Sequence, residues 1–330
     1  MGRHWVLVVS LWLSMVIFAF PATGIGDGGP HSCTIFTISM GERVFFGNNE
    51  DYSNPETCYW AIPPREGKYG GVFFGFDDVW PQGGVNEMGL AFDINALEET
   101  PLHPRPELPD LDDYEGYIVL SRCATVEEAI DLVKEYNWGE AMWGQIHFAD
   151  ATGDAVVVGP GRDGELAFTR KVEGDGFLVS TNFNLAFFDG EEGKGICNRY
   201  DRAVDMLGEI ESPEDLDVEE LRGILDSVHV EGNRINTQYS NIYDLKNGDI
   251  YLYYYHQFEE SARLNVAEVI ARETEPVPIR SLFSEEILKS AEDEFRRYRS
   301  REVLTISLFL VLVFILSAGL GVMVRKRVKN

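Results

Sequence analysis

Two apolar runs, one near each end, confine the globular part of this chain to the stretch between them. Trp5 to Phe20 is almost uninterrupted by polar residues, with Arg3 before it and Pro21-Ala22-Thr23-Gly24 after it. A basic start, a short apolar segment and small residues beyond it have the form of a secretory signal peptide, here residues 1–24. The second run, Val303 to Val324, holds no charged residue. It is roughly 22 residues long, enough to cross a bilayer as a helix. Arg325, Lys326, Arg327 and Lys329 follow it, which predicts a basic cytoplasmic tail over 325–330. Arg296, Arg297, Arg299 and Arg301 flank the other side, so the leader sets the orientation. Everything between the two runs is expected outside the cytoplasm.

The 330 residues carry 55 acidic and 28 basic side chains, a formal charge of -27. Nucleic-acid surfaces need clustered Lys and Arg, so that class of partner is excluded, and the acid reads as a solvated coat. The cysteines are Cys33, Cys58, Cys123 and Cys197. Outside the cytoplasm a disulfide is permitted, but spacing assigns no pair among Cys58, Cys123 and Cys197. No CxxC, no His/Cys/Asp set with metal spacing and no glycine loop in a phosphate-binding context is present. No cofactor is expected, and nothing sets an oligomeric state.

Residues 25–32 are Gly-rich and aperiodic, as suits a removable linker or propeptide. At Cys33 the pattern changes to alternation through Ser39, a turn at Met40-Gly41-Glu42, and a second run from Arg43 to Gly47, a hairpin signature. Further strands are expected at Gly71–Phe76, Gly89–Ile94, Gln145–Ala149, Ala155–Gly159, Leu166–Arg170, Gly176–Ser180, Gln238–Leu245 and Asp249–His256. Pro101 to Asp113 reads as a loop. Thr125 to Glu135 has a capping Thr, an acidic first turn and helical apolar spacing; helices are also expected at Ile196–Ile210 and Pro213–Val228. Strands interleaved with helices predict an α+β domain over 33–280. Residues 281–302, including the charged segment Ser284 to Arg299, read as a helical stalk leading to the membrane span at 303–324.

Cys33-Thr34-Ile35-Phe36, the hairpin, and Gly47-Asn48-Asn49-Glu50-Asp51 resemble the start of the N-terminal-nucleophile hydrolases. The nearest resemblance is to the choloylglycine hydrolase and penicillin V acylase family of linear amide hydrolases. Asn86-Glu87-Met88-Gly89-Leu90, Ser180-Thr181-Asn182, Asn198-Arg199-Tyr200 and Thr237-Gln238-Tyr239-Ser240 are similar to later segments of that family, in the same order. Together they cover about Cys33 to Tyr255.

The resemblance implies a four-layer αββα sandwich and hydrolysis of an amide bond in an N-acylated small molecule by Cys33 as a new N-terminus. A thiol is mostly protonated at neutral pH. A free α-amino group on the same residue titrates close to neutrality and can take its proton. The same resemblance makes Asp51 the partner of that amine, the Asn182 side-chain amide and the Asn95 backbone N–H oxyanion donors, and Arg199 a charge stabiliser. Asn48 stands where the family usually has Arg, so bile-salt deconjugation is not implied. A Cys-dependent dipeptidase and a catalytically silent surface binding protein are the alternatives. The aromatic clusters Tyr59-Trp60, Phe73-Phe74, Trp80 and Tyr251 to Tyr255 suit core strand positions first and the lining of an acyl pocket second. His147, His229 and His256 lie in no catalytic motif.

Overall fold

The computed structural model describes residues 32–298 and 300, apart from 112, 189–192, 233–234 and 273. The expected leader, the start of the linker, the membrane span and the basic tail lie outside the described residues. Among the described residues no helix is long and apolar enough to cross a membrane.

Two antiparallel sheets form the centre. The first has six strands in the order β10-β1-β2-β11-β12-β13. They are β1 (Ser32–Met40), β2 (Arg43–Tyr52), β10 (Gly176–Ser180), β11 (Asn236–Asp244), β12 (Asp249–Tyr254) and β13 (Gln257–Asn265). The second has eight, in the order β14-β3-β4-β5-β6-β7-β8-β9. These are β3 (Thr57–Ile62), β4 (Gly71–Phe76), β5 (Pro81–Asn86), β6 (Ala91–Pro101), β7 (Ala141–Ala149), β8 (Ala155–Pro160), β9 (Leu166–Arg170) and β14 (Thr274–Pro278). The principal helices are α1 (Glu115–Arg122), α2 (Val126–Lys134), α3 (Asn198–Gly208), α4 (Val218–Ser227), α5 (Val266–Ile270) and α6, residues 285–298.

Strand alternation sends successive residues to opposite faces, and the cores divide accordingly. Ile35, Phe46, Phe74, Val85, Tyr239 and Ile250 fill the space between the sheets. Phe36, Ile38 and Phe45 turn the other way, onto Leu207 of α3 and Leu221 and Ile224 of α4. On the far side of the eight-stranded sheet, Phe73, Phe92 and Ile146 pack against Leu120 of α1 and Ala129 of α2. The layers therefore run helix, sheet, sheet, helix.

Local chemistry explains several of these elements. Thr125 caps α2 by accepting from the Glu128 N–H, and Asp217 caps α4 through Glu220 in the same way. The Asn86-Glu87-Met88-Gly89-Leu90 segment is a structural turn. Asn86 Oδ1 accepts from the Met88 and Leu90 N–H groups, both at 3.0 Å, while Nδ2 donates to Leu120 O and Cys123 O at 2.8 Å. Gly89 has φ +80°, and a Cβ there would lie 2.3 Å from Leu245 O, so glycine is required.

All four cysteines are free and buried. Cys58 donates to Phe76 O at 3.0 Å, and with Cys123 it packs in the outer core as a small apolar residue. The segment expected as a stalk lies against the domain up to Tyr298. Ile287 joins the inter-sheet core, and Ala291 and Tyr298 are buried.

Gly47 sits opposite Phe36 in the β1–β2 ladder, and a Cβ there would lie 2.4 Å from the ring. Gly47→Ala is expected to destabilise the fold by about 1–3 kcal/mol through overpacking. The loss should shrink when Phe36→Leu is added, as read from urea unfolding midpoints.

Candidate active site

Cys33 is the second residue of β1, a central strand, and is 2% exposed. The ladder places Cys33 opposite Glu50 and Ser32 opposite Asp51. Paired residues share a face, so the thiol and Glu50 point between the sheets, while Thr34 and Asp51 point toward α3. Cys33 Sγ donates to Glu50 Oε1 at 3.6 Å.

Four other residues singled out in the sequence converge on Cys33 or its neighbours. The Cys33 amide N–H donates to Asn182 Oδ1 at 2.7 Å. Its carbonyl accepts from Arg199 Nη1 at 2.8 Å and from Asn95 Nδ2 at 3.4 Å. Arg199, at the start of α3 and 7% exposed, also donates to Thr34 Oγ1 at 2.7 Å and to Asn182 Oδ1 at 3.0 Å, and lies 3.5 Å from Asp51 Oδ2. Asn182 Nδ2 donates to Ala96 O at 3.0 Å, which ties the end of β10 to β6.

Asp51 is held from β11. Thr237 Oγ1 donates to Asp51 Oδ1 and accepts from the Val230 N–H at 2.8 Å. The β11–β2 register shifts between Thr237 and Tyr239. This bulge at Gln238 lets Thr237 face Asp51 while Tyr239 still joins the inner core. On the same outer face Asn49 donates to Leu225 O at 2.8 Å and accepts from Ser240 Oγ at 2.6 Å, locking β2 and β11 to α4.

Sequence reasoning passed over two further groups, Glu50 and Asp93. Both are completely buried on the inner face beside the thiol. Asp93 stands opposite Gly83, where a Cβ would lie 2.1 Å from Asp93 Oδ2; the missing side chain makes room for the carboxylate. Glycine at 83 is the one sequence sign of it.

This acid concentration shapes the electrostatics. Burial, followed by repulsion from Glu50, Asp51 and Asp93, pushes the Cys33 thiol well above its usual range, although the Asp51 backbone N–H pulls the other way. Burial and Asp51 raise Glu50. Burial and Glu50 raise Asp93 well above the carboxylate range. Burial lifts Asp51 to about 7 against the opposing pull of Arg199 and Thr237. A thiol in these surroundings stays protonated until a base takes the proton.

The histidines stand differently. His147 is buried between Thr37 Oγ1 at 3.0 Å and Ser180 Oγ at 2.9 Å, and burial lowers it to about 3. It is a bridge between the sheets. His229, Glu231 and His256 each bring one ligand atom within 4.8 Å of the others, a grouping their sequence spacing hides. Both His229 nitrogens are already engaged, with Asp226 O and with Glu231 Oε1 at 2.9 Å.

The architecture is similar to that of solved acylase and bile acid hydrolase structures. Penicillin V acylase from Agrobacterium tumefaciens matches with a TM-score of 0.56 and 18% identity over 72% of this chain and 86% of that one. A variant of conjugated bile acid hydrolase from Clostridium perfringens matches with a TM-score of 0.59 and 18% identity over 76% of this chain and 98% of the hydrolase. A second mutant of that hydrolase gives 0.54 and 19% over 74% and 96%. No family model matches the sequence, and no curated protein matches it. The fold is therefore shared with amide hydrolases at low sequence identity.

A carboxyl group raised by folding makes the folded state the tighter proton binder. Its stability is then greatest below the unfolded value, near 4, and is lost as pH climbs through the folded value. For Asp51 that window runs from about 4 to about 7, and Glu50 and Asp93 act in the same direction. In a Cys33→Ala background, urea unfolding should show stability falling from pH 5 to pH 8. Asp51→Asn is expected to reduce that fall by at least about 1 kcal/mol, since one pKa unit corresponds to about 1.4 kcal/mol.

Proposed function

We propose that this chain is an extracytoplasmic hydrolase of linear amide bonds in N-acylated small molecules, with Cys33 as an N-terminal nucleophile. The observation that carries the reading is the convergence of Asn182, Arg199 and Asn95 on the main-chain N–H and carbonyl of one cysteine, on a fold shared with known acylases.

Removal of residues 1–32, the signal peptide and the short propeptide, turns the Cys33 amide into an amine. Before that cut the amide nitrogen is a poor base, and Glu50 Oε1 at 3.6 Å is the acceptor within reach of the thiol proton. Sulfur attacks the Ser32 carbonyl carbon, the C–N bond to Cys33 breaks, the nitrogen takes a proton, and water cleaves the resulting thioester. Glu50, raised by burial, is better matched to a weakly acidic thiol than an exposed carboxylate would be.

In the mature enzyme the α-amine accepts the thiol proton. Sulfur attacks the substrate carbonyl, and the negative charge on oxygen is met by Asn95 and by an Asn182 amide turned away from Ala96 O. The proton held on the amine passes to the departing nitrogen, and water then hydrolyses the acyl-enzyme. Asp51, fixed by Thr237, holds the amine side of Cys33, and Arg199 keeps Asn182 and the Cys33 carbonyl in place. The apolar run 303–324 anchors the domain to the outer face of a membrane, with the basic tail inside. No metal or cofactor enters this scheme.

N-terminal sequencing of the purified protein should find Cys33 first. A mature chain beginning near Ile25, or an active preparation with Ser32 still attached, overturns the proposal. Cys33→Ala should remove all amine release from an acyl-amide panel, while His147, His229 and His256 substitutions leave turnover in place. Glu50→Gln should slow appearance of the new N-terminus at least tenfold, measured by intact mass during expression or refolding.

A further inference from the structure

The space between the sheets changes character along its length. Away from Cys33 it is apolar, with Val44, Phe74, Val72 and Leu252 packed together. Beside Cys33 it is polar. β2 contributes Asn48 and Glu50, β11 contributes Asn241, and β6 contributes Asp93 and Asn95, all at most 1% exposed.

Buried polar atoms nearly always find partners. Here many have none among the described residues: both amide atoms of Asn48 and of Asn241, Glu50 Oε2, Asp93 Oδ2, Asn95 Oδ1 and the Tyr239 and Tyr243 hydroxyls. Asn48 lies two residues from Glu50 on the same strand and so on the same face. Neither Glu50 nor Asp93 has an ion-pair partner among the described residues. Arg199, the cation closest in the site, is spent on the other face with Asp51 and Thr34.

Two neighbouring carboxylates buried without a cation are costly, and a group that supplies positive charge and N–H donors removes the cost. Its position is constrained by the thiol. Glu50 Oε1 is 3.6 Å from Sγ, and in the acyl-enzyme the carbonyl carbon is bonded to that sulfur. A substituent one or two bonds from the carbonyl is near enough to reach Glu50 from there. An ammonium group on the α-carbon fits, with its donors shared between Glu50, Asp93 and the Asn48 amide oxygen.

We propose that the acyl part of the substrate is an α-aminoacyl group, its ammonium bound by Glu50 and Asp93 with Asn48. The proposal rests on the amide-hydrolase reading and narrows it to aminoacyl amides, small peptides among them. It also accounts for Asn at 48: an arginine there would neutralise the acids and repel the ammonium.

The test compares mature protein on two matched anilides, leucyl anilide and its desamino counterpart, 4-methylpentanoyl anilide. The expected result is a kcat/KM at least 100-fold higher for leucyl anilide. Asp93→Asn should cut leucyl turnover at least tenfold more than desamino turnover, mainly through KM. Asn48→Arg, which keeps both carboxylates, should collapse the preference; thermal melts check that both variants fold. Equal or faster cleavage of the desamino anilide overturns the ammonium site and leaves the amide hydrolase standing. Cleavage of neither by protein that begins at Cys33 overturns both.

Discussion

The pairing of β1 with β2 is the constraint on which the rest depends. Cys33 stands across from Glu50, and Asp51 across from Ser32. A slip of β1 by one residue would turn over all of its side chains. The thiol would point into the helical layer, while Glu50 stayed on the inner face with β2. The ladder is held by features that allow no slip: Phe36 over Gly47, Asn49 bridged between β11 and α4, and the bulge at Gln238. Each belongs to the packing, and together they set where the chemistry stands.

A division of labour follows from that register. The main chain of Cys33 is gripped from one side by Asn182, Arg199 and Asn95, while its sulfur hangs on the other side among acids. The two ends of the residue can therefore be tuned separately. The nitrogen donates to Asn182, which Arg199 holds in turn. Sulfur is governed by Glu50 and Asp93. The grip on the backbone and the lining around sulfur, Asn48 included, therefore stand on separate side chains.

Much of the architecture was legible from alternation and capping. The first strand at Cys33, the strands from Leu166 and Gly176, and the Thr125-capped helix fall within a residue or two of their expected bounds, while the second hairpin strand runs on from Gly47 to Tyr52. What escaped has physical reasons. The strand Pro81–Asn86 begins with proline and holds two adjacent glycines, a poor strand pattern; the glycines are there for the Asp93 carboxylate and the Val72 carbonyl to approach. The helix Glu115–Arg122 has no capping side chain at Tyr114 and follows an acidic, proline-rich loop. Cys33, Asp51, Asn182 and Arg199 could be named because each lies in a recognisable segment, and Asn95 only by its place beyond one; the fold gathers all five. Glu50 and Asp93 could not, because their meaning comes from their meeting between two sheets, and apart from the glycine at 83 a linear reading holds no trace of that.

Ser32 continues β1 one residue before Cys33, and under the proposed maturation that place in the ladder has a consequence for timing. A newly made molecule would carry its sulfur buried in the sheet, with a nitrogen whose lone pair is tied up in a peptide bond, and would stay inert until that bond is cut. One hydrolysed bond would free the lone pair. Activity would then be counted by cleavage events rather than by molecules made, so the place and moment of action would be written into the first residue of the finished protein.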